Sequence, residues 1–140
     1  MSRNALILLL LIVSGLGLYA YQTHTAKQET MAQSNAPLVK VAIPELNASE
    51  TQGKALYTQY CSSCHGANAA GQDNIAPSLV HKIYEPSHHG DQAFYLAALQ
   101  GVRAHHWPFG NMPPVEGITE EEISPIIAYI RRLQRHNGIE

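Results

Sequence analysis

The distribution of apolar and polar residues divides the chain into three parts. Residues 5–21, ALILLLLIVSGLGLYAY, are apolar or small without interruption, whereas residues 22–48 are mostly polar and show no sustained period. From residue 49 onward, apolar positions recur at intervals of three and four, which is the period of amphipathic helices. We therefore expect a membrane anchor or signal segment over residues 1–21, a flexible linker over 22–48 and one folded domain over 49–140.

The apolar segment has two interpretations. As a helix it would span about 25 Å at ~1.5 Å per residue, slightly less than the ~30 Å hydrocarbon core of a bilayer. An uncleaved single-pass anchor is favoured over a cleaved signal peptide, because bulky Leu18 stands where a cut after Ala20 requires a small residue. Either segment would export the domain from the cytoplasm, and cleavage would then leave it soluble.

Two helices are predicted in the first part of the domain. Ser49 and Gln52 stand in capping-box spacing, and the helix that follows runs directly into Cys61. A second helix is predicted over residues 91–101, where Asp91 can cap the first turn.

The clearest helical pattern lies near the C-terminus. Its apolar stripe consists of Ile123, Ile126, Ile127, Ile130 and Leu133. This helix begins either at Thr119, with Glu122 as its capping-box partner, or at Ser124 before Pro125. Because no alternating strand pattern of useful length occurs between the helices, the predicted fold class is all-α, with long loops.

Composition excludes several classes of protein. The formal net charge is −2 and only 14% of the residues are charged, so the chain lacks the basic surface that nucleic-acid binding requires. Two cysteines are too few for a disulfide-stabilised scaffold or a four-cysteine metal site. The chemistry of the chain therefore depends on how those two cysteines are placed.

The sequence CSSCH at residues 61–65 predicts a haem site. Cys61 and Cys64 lie on one side of a helical turn, so both sulfurs can bind the vinyl groups of one haem while His65 reaches the iron. A disulfide or a reactive thiol pair of the thioredoxin type is the alternative. Such a thiol pair normally lies on a helix after a strand in a βαβ pattern, which this sequence does not show.

These features resemble the class I cytochromes c. The resemblance rests on GKALYTQYCSSCHG, on Pro77 within IAPSL, on MPP at residues 112–114 and on the helix that contains AYIRRL. It covers about residues 49–134 and implies a small all-α globule of three to five helices around one covalently bound haem c. By the same resemblance, the first helix of the domain crosses the last one closely at Gly53, near Tyr129.

The resemblance also implies a role for each residue of the haem site. Cys61 and Cys64 match the residues that form thioethers with the haem, and His65 matches the proximal ligand of the iron. Met112 matches the distal ligand, whose soft thioether sulfur favours ferrous iron and raises the reduction potential. Pro77 stands where the family uses a backbone carbonyl to accept the N–H of the proximal imidazole.

Histidines offer an alternative to a thioether as distal ligand. His105 and His106 are rivals because imidazole is a common iron ligand, although an adjacent pair in a loop more often contacts solvent or a haem propionate. His81, His88 and His89 add imidazoles that can bind copper or zinc adventitiously. No spacing among these histidines specifies a dedicated second metal site.

The predicted function is electron transport rather than catalysis. The domain would carry single electrons between membrane or periplasmic redox partners, such as a respiratory complex, a dehydrogenase or an oxidase. A haem enzyme subunit or a ligand sensor, with a displaceable or histidine distal ligand, is the alternative. Arg131, Arg132 and Arg135 are interpreted as cations that complement the helix dipole, rather than as a docking surface for an acidic partner.

Overall fold

The computed structural model describes residues 2–34 and 36–140, and the contacts divide the chain between residues 34 and 35 into two units. The α-helices of the described residues are α1 (Arg3–Ser34), α2 (Ala48–Tyr60), α3 (Ser62–His65), α4 (Asp91–Gln100) and α5 (Glu120–His136). Two 3₁₀ turns, Ala67–Ala69 and Lys82–Tyr84, lie between them. The only β structure in these residues is isolated bridges, so the prediction of an all-α fold is confirmed.

The N-terminal helix α1 continues past the apolar run, where the sequence predicted a flexible coil. The structure is helical as far as Ser34, because no glycine or proline interrupts a segment rich in good helix formers. A membrane-spanning helix was expected over residues 1–21, yet no helix in the described part of the chain is both long and apolar enough to cross a bilayer. Met1 and Asn35, which belong to the predicted anchor and linker, lie outside the described residues.

The segment over residues 36–47 is hydrogen-bonded to the domain. The N–H groups of Leu38 and Val39 donate to the carbonyl oxygen of Ala70 at 3.1 and 3.2 Å. The side chain of Asn137 accepts from the N–H of Ala42 and donates to its carbonyl oxygen, each at 2.9 Å. This part of the predicted linker is therefore fixed to the folded unit, while the domain limits at residues 22 and 49 remain predictions.

The N-cap of helix α2 lies two residues before the predicted one. Asn47, in extended backbone geometry, accepts from the N–H of Glu50 through its side chain, and the Glu50 carboxylate accepts from the N–H of Asn47, each at 2.9 Å. The predicted pair of Ser49 and Gln52 was wrong because Ser49 is already helical. A short polar side chain caps the start of a helix only from a residue whose own backbone is not yet helical.

Helix α5 begins at the predicted capping box of Thr119 and Glu122. The side chain of Thr119 accepts from the N–H of Glu122, and the Glu122 carboxylate accepts from the N–H of Thr119 at 2.9 Å. Pro125 lies inside the helix rather than at its start. The predicted apolar stripe is buried at Ile123, Ile126, Ile127, Ile130 and Leu133.

Helices α2 and α5 pack directly against each other and form the centre of the core. A Cβ atom added to Gly53 would lie 1.9 Å from the carbonyl oxygen of Pro125, so only glycine permits this approach. One turn further along α2, the ring of Tyr57 lies 5.6 Å from the ring of Tyr129, and both side chains are fully buried. The predicted close crossing near Gly53 is confirmed.

Helix α4 is joined to α5 by an ion pair that replaces the predicted cap. Gly90 occupies the N-cap position without a side-chain hydrogen bond, and Asp91 lies in the first turn of the helix. The Asp91 carboxylate lies 2.8 Å from Nε of Arg131 on α5. The prediction that Asp91 caps α4 was wrong, because its side chain is directed to another helix.

Candidate functional site

The two cysteines and His65 occupy a single helical turn between α2 and the following loop. Cys61 ends α2 and also precedes α3, where its carbonyl oxygen accepts from the N–H of His65 at 2.9 Å. The two cysteines are not joined by a disulfide, and Cys61 is partly buried whereas Cys64 is exposed. The structure therefore holds two sulfurs and one imidazole together on the short helix, as the spacing predicted.

Gln72 caps the end of this short helix, a role that no sequence pattern indicated. Its Nε2 donates to the carbonyl oxygens of Ser62, Ser63 and Cys64 at 3.2, 2.7 and 3.1 Å. The last carbonyls of a helix lack partners within the helix, so the two N–H bonds of this amide serve the open carbonyls of Ser63 and Cys64, while Ser62 also accepts from the N–H of Gly66 at 3.0 Å. Gln72 thereby fixes the helical turn that carries the cysteines.

The imidazole of His65 is oriented by the backbone of Pro77. Its Nδ1 lies 2.9 Å from the Pro77 carbonyl oxygen, to which it donates as N–H. Nε2 is therefore the nitrogen whose lone pair is free to bind a metal. The neighbouring Ser78 is buried, and its hydroxyl donates to the carbonyl oxygen of Ala69 at 2.8 Å while accepting from the N–H of Val80. The carbonyl that orients His65 therefore belongs to a braced segment.

Burial shifts the pKa values of His65 and Cys61 in the directions that favour the neutral form of each side chain. Desolvation lowers the pKa of His65, although the hydrogen bond to Pro77 opposes this shift, and the neutral imidazole is the form that binds a metal. Desolvation, and then the nearby Cys64, raise the pKa of Cys61 to about 11. A reactive thiol pair of the thioredoxin type requires a lowered pKa, so this environment disfavours that alternative.

Met112 is positioned by the end of α4 rather than by the cysteine-bearing turn. It forms an isolated bridge with Val102, in which the two residues exchange N–H···O bonds of 2.9 and 3.0 Å. Gly101 ends α4 with φ of 75°, and a Cβ there would lie 2.5 Å from the Met112 carbonyl oxygen. Pro113 and Pro114 continue this segment, whose path depends on the absence of a side chain at Gly101.

These residues fit a covalently bound haem. The described structure places two cysteine sulfurs on one turn beside an imidazole whose Nδ1 already has a partner. Helix α4 provides a further observation, because it is largely apolar and yet has no fully buried side chain. Its Leu96 and Leu99 are 43% and 37% exposed. Apolar surface of this kind suits coverage by a large apolar group.

The two rival histidines lie in a cluster with other histidines. His105 and His106 are both exposed, and the rings of His88 and His89 lie within 5.5 Å of the His106 ring. Nδ1 of His105 lies 2.8 Å from the carbonyl oxygen of Arg103. The sequence did not predict this arrangement, because the two pairs come from separate loops.

Arg131 is a buried structural residue, in contrast to its interpretation as a partner of the helix dipole. Its side chain is 7% exposed and pairs with Asp91, and its guanidinium donates to the carbonyl oxygens of Tyr84 and His89. It also donates to Oε1 of Gln134 at 2.6 Å, and Gln134 itself is completely buried. In the sequence, the only sign of this contact was the three-residue spacing of Arg131 and Gln134 beside the apolar stripe of α5.

Comparison with known proteins identifies similarity over most of the domain. A family model described as Cytochrome c matches residues 50–134, which include CSSCH, Pro77 and Met112. The cytochrome bc1 complex cytochrome c subunit of Mycobacterium leprae is 39% identical over 140 residues. That match covers 93% of this chain and 39% of the relative, so the chain spans well under half of the relative's length.

Proposed function

Because the chain belongs to the cytochrome c family and carries a covalently bound haem c, we propose that it transfers single electrons between redox partner proteins. The haem iron supplies the one-electron couple between its ferric and ferrous states. The observation that carries the proposal is the 2.9 Å contact between Nδ1 of His65 and the Pro77 carbonyl oxygen. It leaves the imidazole with one free nitrogen in a rigid setting.

The two cysteines and the histidine of the CSSCH turn each have a proposed role. Cys61 and Cys64 form the thioethers, each thiol adding its sulfur and its proton across a vinyl double bond. His65 binds the iron through Nε2, and the carbonyl of Pro77 raises the basicity of the imidazole and prevents its rotation. Because the ligand is held rigidly, the change of oxidation state requires little rearrangement around it.

Met112 is the proposed distal ligand. Gly101 and Val102 fix the backbone on one side of it, and two prolines stiffen the chain on the other side. The rival histidines have other neighbours, since His105 and His106 pack against each other and against His89. A Met112 thioether bound to the haem iron would leave no site for a substrate, which favours electron transfer over substrate chemistry.

Spectroscopy of the haem-loaded protein tests the ligand assignment. The oxidised protein should be low-spin and show the weak red absorption band of iron–methionine coordination, and Met112→Ala should abolish that band. Met31→Ala, in α1, is the matched control and should retain it. A high-spin wild type that binds carbon monoxide would instead identify a haem enzyme or a ligand sensor.

The proposed partner is a respiratory complex of the bc1 type. The support is the name of the M. leprae relative, a cytochrome c subunit of such a complex, together with the shared identity of 39%. Quinol-dependent reduction of the haem by membranes that contain this complex should stop when a bc1 inhibitor is added. Reduction that persists would point to a dehydrogenase or an oxidase as the partner.

The proposed location is the periplasmic face of a bacterial inner membrane, reached through residues 1–21. The support is the apolar run itself, in which Leu11, Leu16 and Leu18 are each more than half exposed. The mass of the mature protein and its partition between membrane and soluble fractions test this location. A chain that begins near Leu18 would be a soluble periplasmic carrier, and a cytoplasmic haem-free chain would contradict the proposal.

A further inference from the structure

Four imidazoles converge on the surface of the domain from two separate loops. His88 and His89 precede α4, and His105 and His106 lie in the loop that begins after Val102. The ring centroids of His88 and His89 are 5.5 and 5.2 Å from that of His106, and 4.7 Å from each other. Such crowding of imidazoles on a surface has no evident role in packing.

We propose that His88, His89 and His106 bind a divalent transition-metal ion, with Zn²⁺ as the reference ligand. One ring nitrogen from each of the three lies within 4.8 Å of the others. Tetrahedral zinc with Zn–N bonds of about 2.0–2.1 Å needs nitrogens roughly 3.4 Å apart. Because His88 and His106 are exposed, rotation of their side chains can close the difference without movement of the core.

The most rigid member of the cluster is His89. Its Nδ1 donates to the carbonyl oxygen of Ile83 at 2.6 Å, which leaves Nε2 free to bind a metal. Metal-binding histidines usually make this second hydrogen bond, since it fixes the tautomer and the direction of the ring. The backbone of His89 is held as well. Its N–H donates to the backbone carbonyl oxygen of Glu85 at 2.8 Å, and its own carbonyl oxygen accepts from the buried side chain of Arg131.

The chemistry of the cluster selects the class of ion. Three imidazole nitrogens without a carboxylate suit Zn²⁺, Cu²⁺ or Ni²⁺, whereas Mg²⁺ and Ca²⁺ require oxygen ligands. Three protein ligands also leave a fourth position for water.

A bound ion would connect two parts of the fold. His88 and His89 adjoin the start of α4, while His106 lies in the loop whose ends are joined by the bridge between Val102 and Met112. The ion would therefore cross-link the residues that precede α4 to the loop that ends at Met112. This arrangement predicts that metal binding stabilises the folded domain.

Zinc titration of the untagged, haem-loaded protein tests the proposal. After treatment with a chelator and its removal, calorimetry with ZnCl₂ at neutral pH should show one saturable ion per chain. His106→Gln should weaken binding at least about tenfold and leave the far-ultraviolet circular dichroism unchanged, because His106 is exposed. His136→Gln, at the exposed end of α5, is the matched control and should bind as the wild type does.

Three outcomes of the zinc titrations, and one of a competition experiment, would overturn the site. The three are the absence of one-to-one binding by the wild type, unchanged affinity in His106→Gln, and an equal loss of affinity in His136→Gln. Competition by Mg²⁺ as effective as that of Cu²⁺ would also overturn it, because imidazole ligands discriminate between these ions. These measurements depend on neither electron transfer nor the axial ligands of the haem.

Discussion

The guanidinium of Arg131 lies 2.8 Å from the carboxylate of Asp91, and this contact fixes the start of α4 on the C-terminal half of α5. The same guanidinium lies 4.8 Å from the centre of the Phe94 ring and donates to the carbonyl oxygen of Tyr84. A single buried guanidinium thus forms an ion pair with a carboxylate, a cation–π contact with an aromatic ring and hydrogen bonds to backbone carbonyls. The loop before α4 and its first turn are therefore held by one side chain.

Replacing Arg131 with leucine should destabilise the domain by about 2–4 kcal/mol. The leucine fills part of the volume but leaves the carbonyl oxygens of Tyr84 and His89 without the guanidinium donor. Chemical denaturation of the haem-loaded protein, followed by circular dichroism, measures this free energy of unfolding.

Asp91→Asn provides the control for that measurement. The Asp91 side chain is 64% exposed, so its loss of charge should cost less than about 1 kcal/mol. If Arg131→Leu proves no more costly than Asp91→Asn, the ion pair rather than the carbonyl contacts would be the main contribution of Arg131.

Several parts of the fold that depend on neighbouring residues were predictable from the sequence, although the caps of α2 and α4 were not. The capping box at Thr119 and the stripe of α5 were correct because each is a pattern within one helix. The turn that carries Cys61 and His65 is likewise set by spacing along the chain. The close crossing at Gly53 came from the family resemblance instead, since a lone glycine in a helix does not specify what approaches it.

Most of the contacts that the sequence did not predict join residues far apart in the chain, although the capping box of Asn47 and Glu50 is local and was missed because Ser49 and Gln52 have the same spacing two residues later. Arg131 was interpreted by its position near a helix end, but its burial depends on α4 and on Tyr84. Gln72 shows no local signal, because its three acceptors are provided by another turn. The histidine cluster required the meeting of two loops, for which spacing in the sequence contains no information.

Replacing Gly53 with alanine should separate α2 from α5. The added Cβ would lie 1.9 Å from the Pro125 carbonyl oxygen and 3.0 Å from Cβ of Tyr129, so the backbone has to shift. We expect a loss of at least about 2 kcal/mol in the free energy of unfolding, although alanine favours a helix. Gly90→Ala is the control, because its Cβ would meet nothing closer than 3.7 Å. Equal stability of the two variants would contradict the close crossing.

Replacing Gln72 with alanine should loosen the turn that carries the cysteines, at a cost of about 1–2 kcal/mol. The carbonyl oxygens of Ser62, Ser63 and Cys64 would lose their common donor. Gln72→Glu should cost more at neutral pH, because a carboxylate repels carbonyl oxygens, and should recover in part below about pH 4 as it is protonated. Gln52→Ala, on the exposed face of α2, should be neutral in the same unfolding experiment.

Because the hydroxyl of Tyr57 is buried, the domain should lose stability in alkaline solution. This hydroxyl donates to the Gly66 carbonyl oxygen at 2.9 Å, and burial raises its pKa far above the usual 10.0. Above about pH 10 the unfolded chain releases this proton while the folded domain retains it, so stability falls by up to about 1.4 kcal/mol per pH unit. Tyr57→Phe should be less stable than the wild type at about pH 8, but the difference should shrink by roughly 1 kcal/mol at about pH 11. Denaturation of both proteins at each pH measures it, and a constant difference would show that Tyr57 titrates normally.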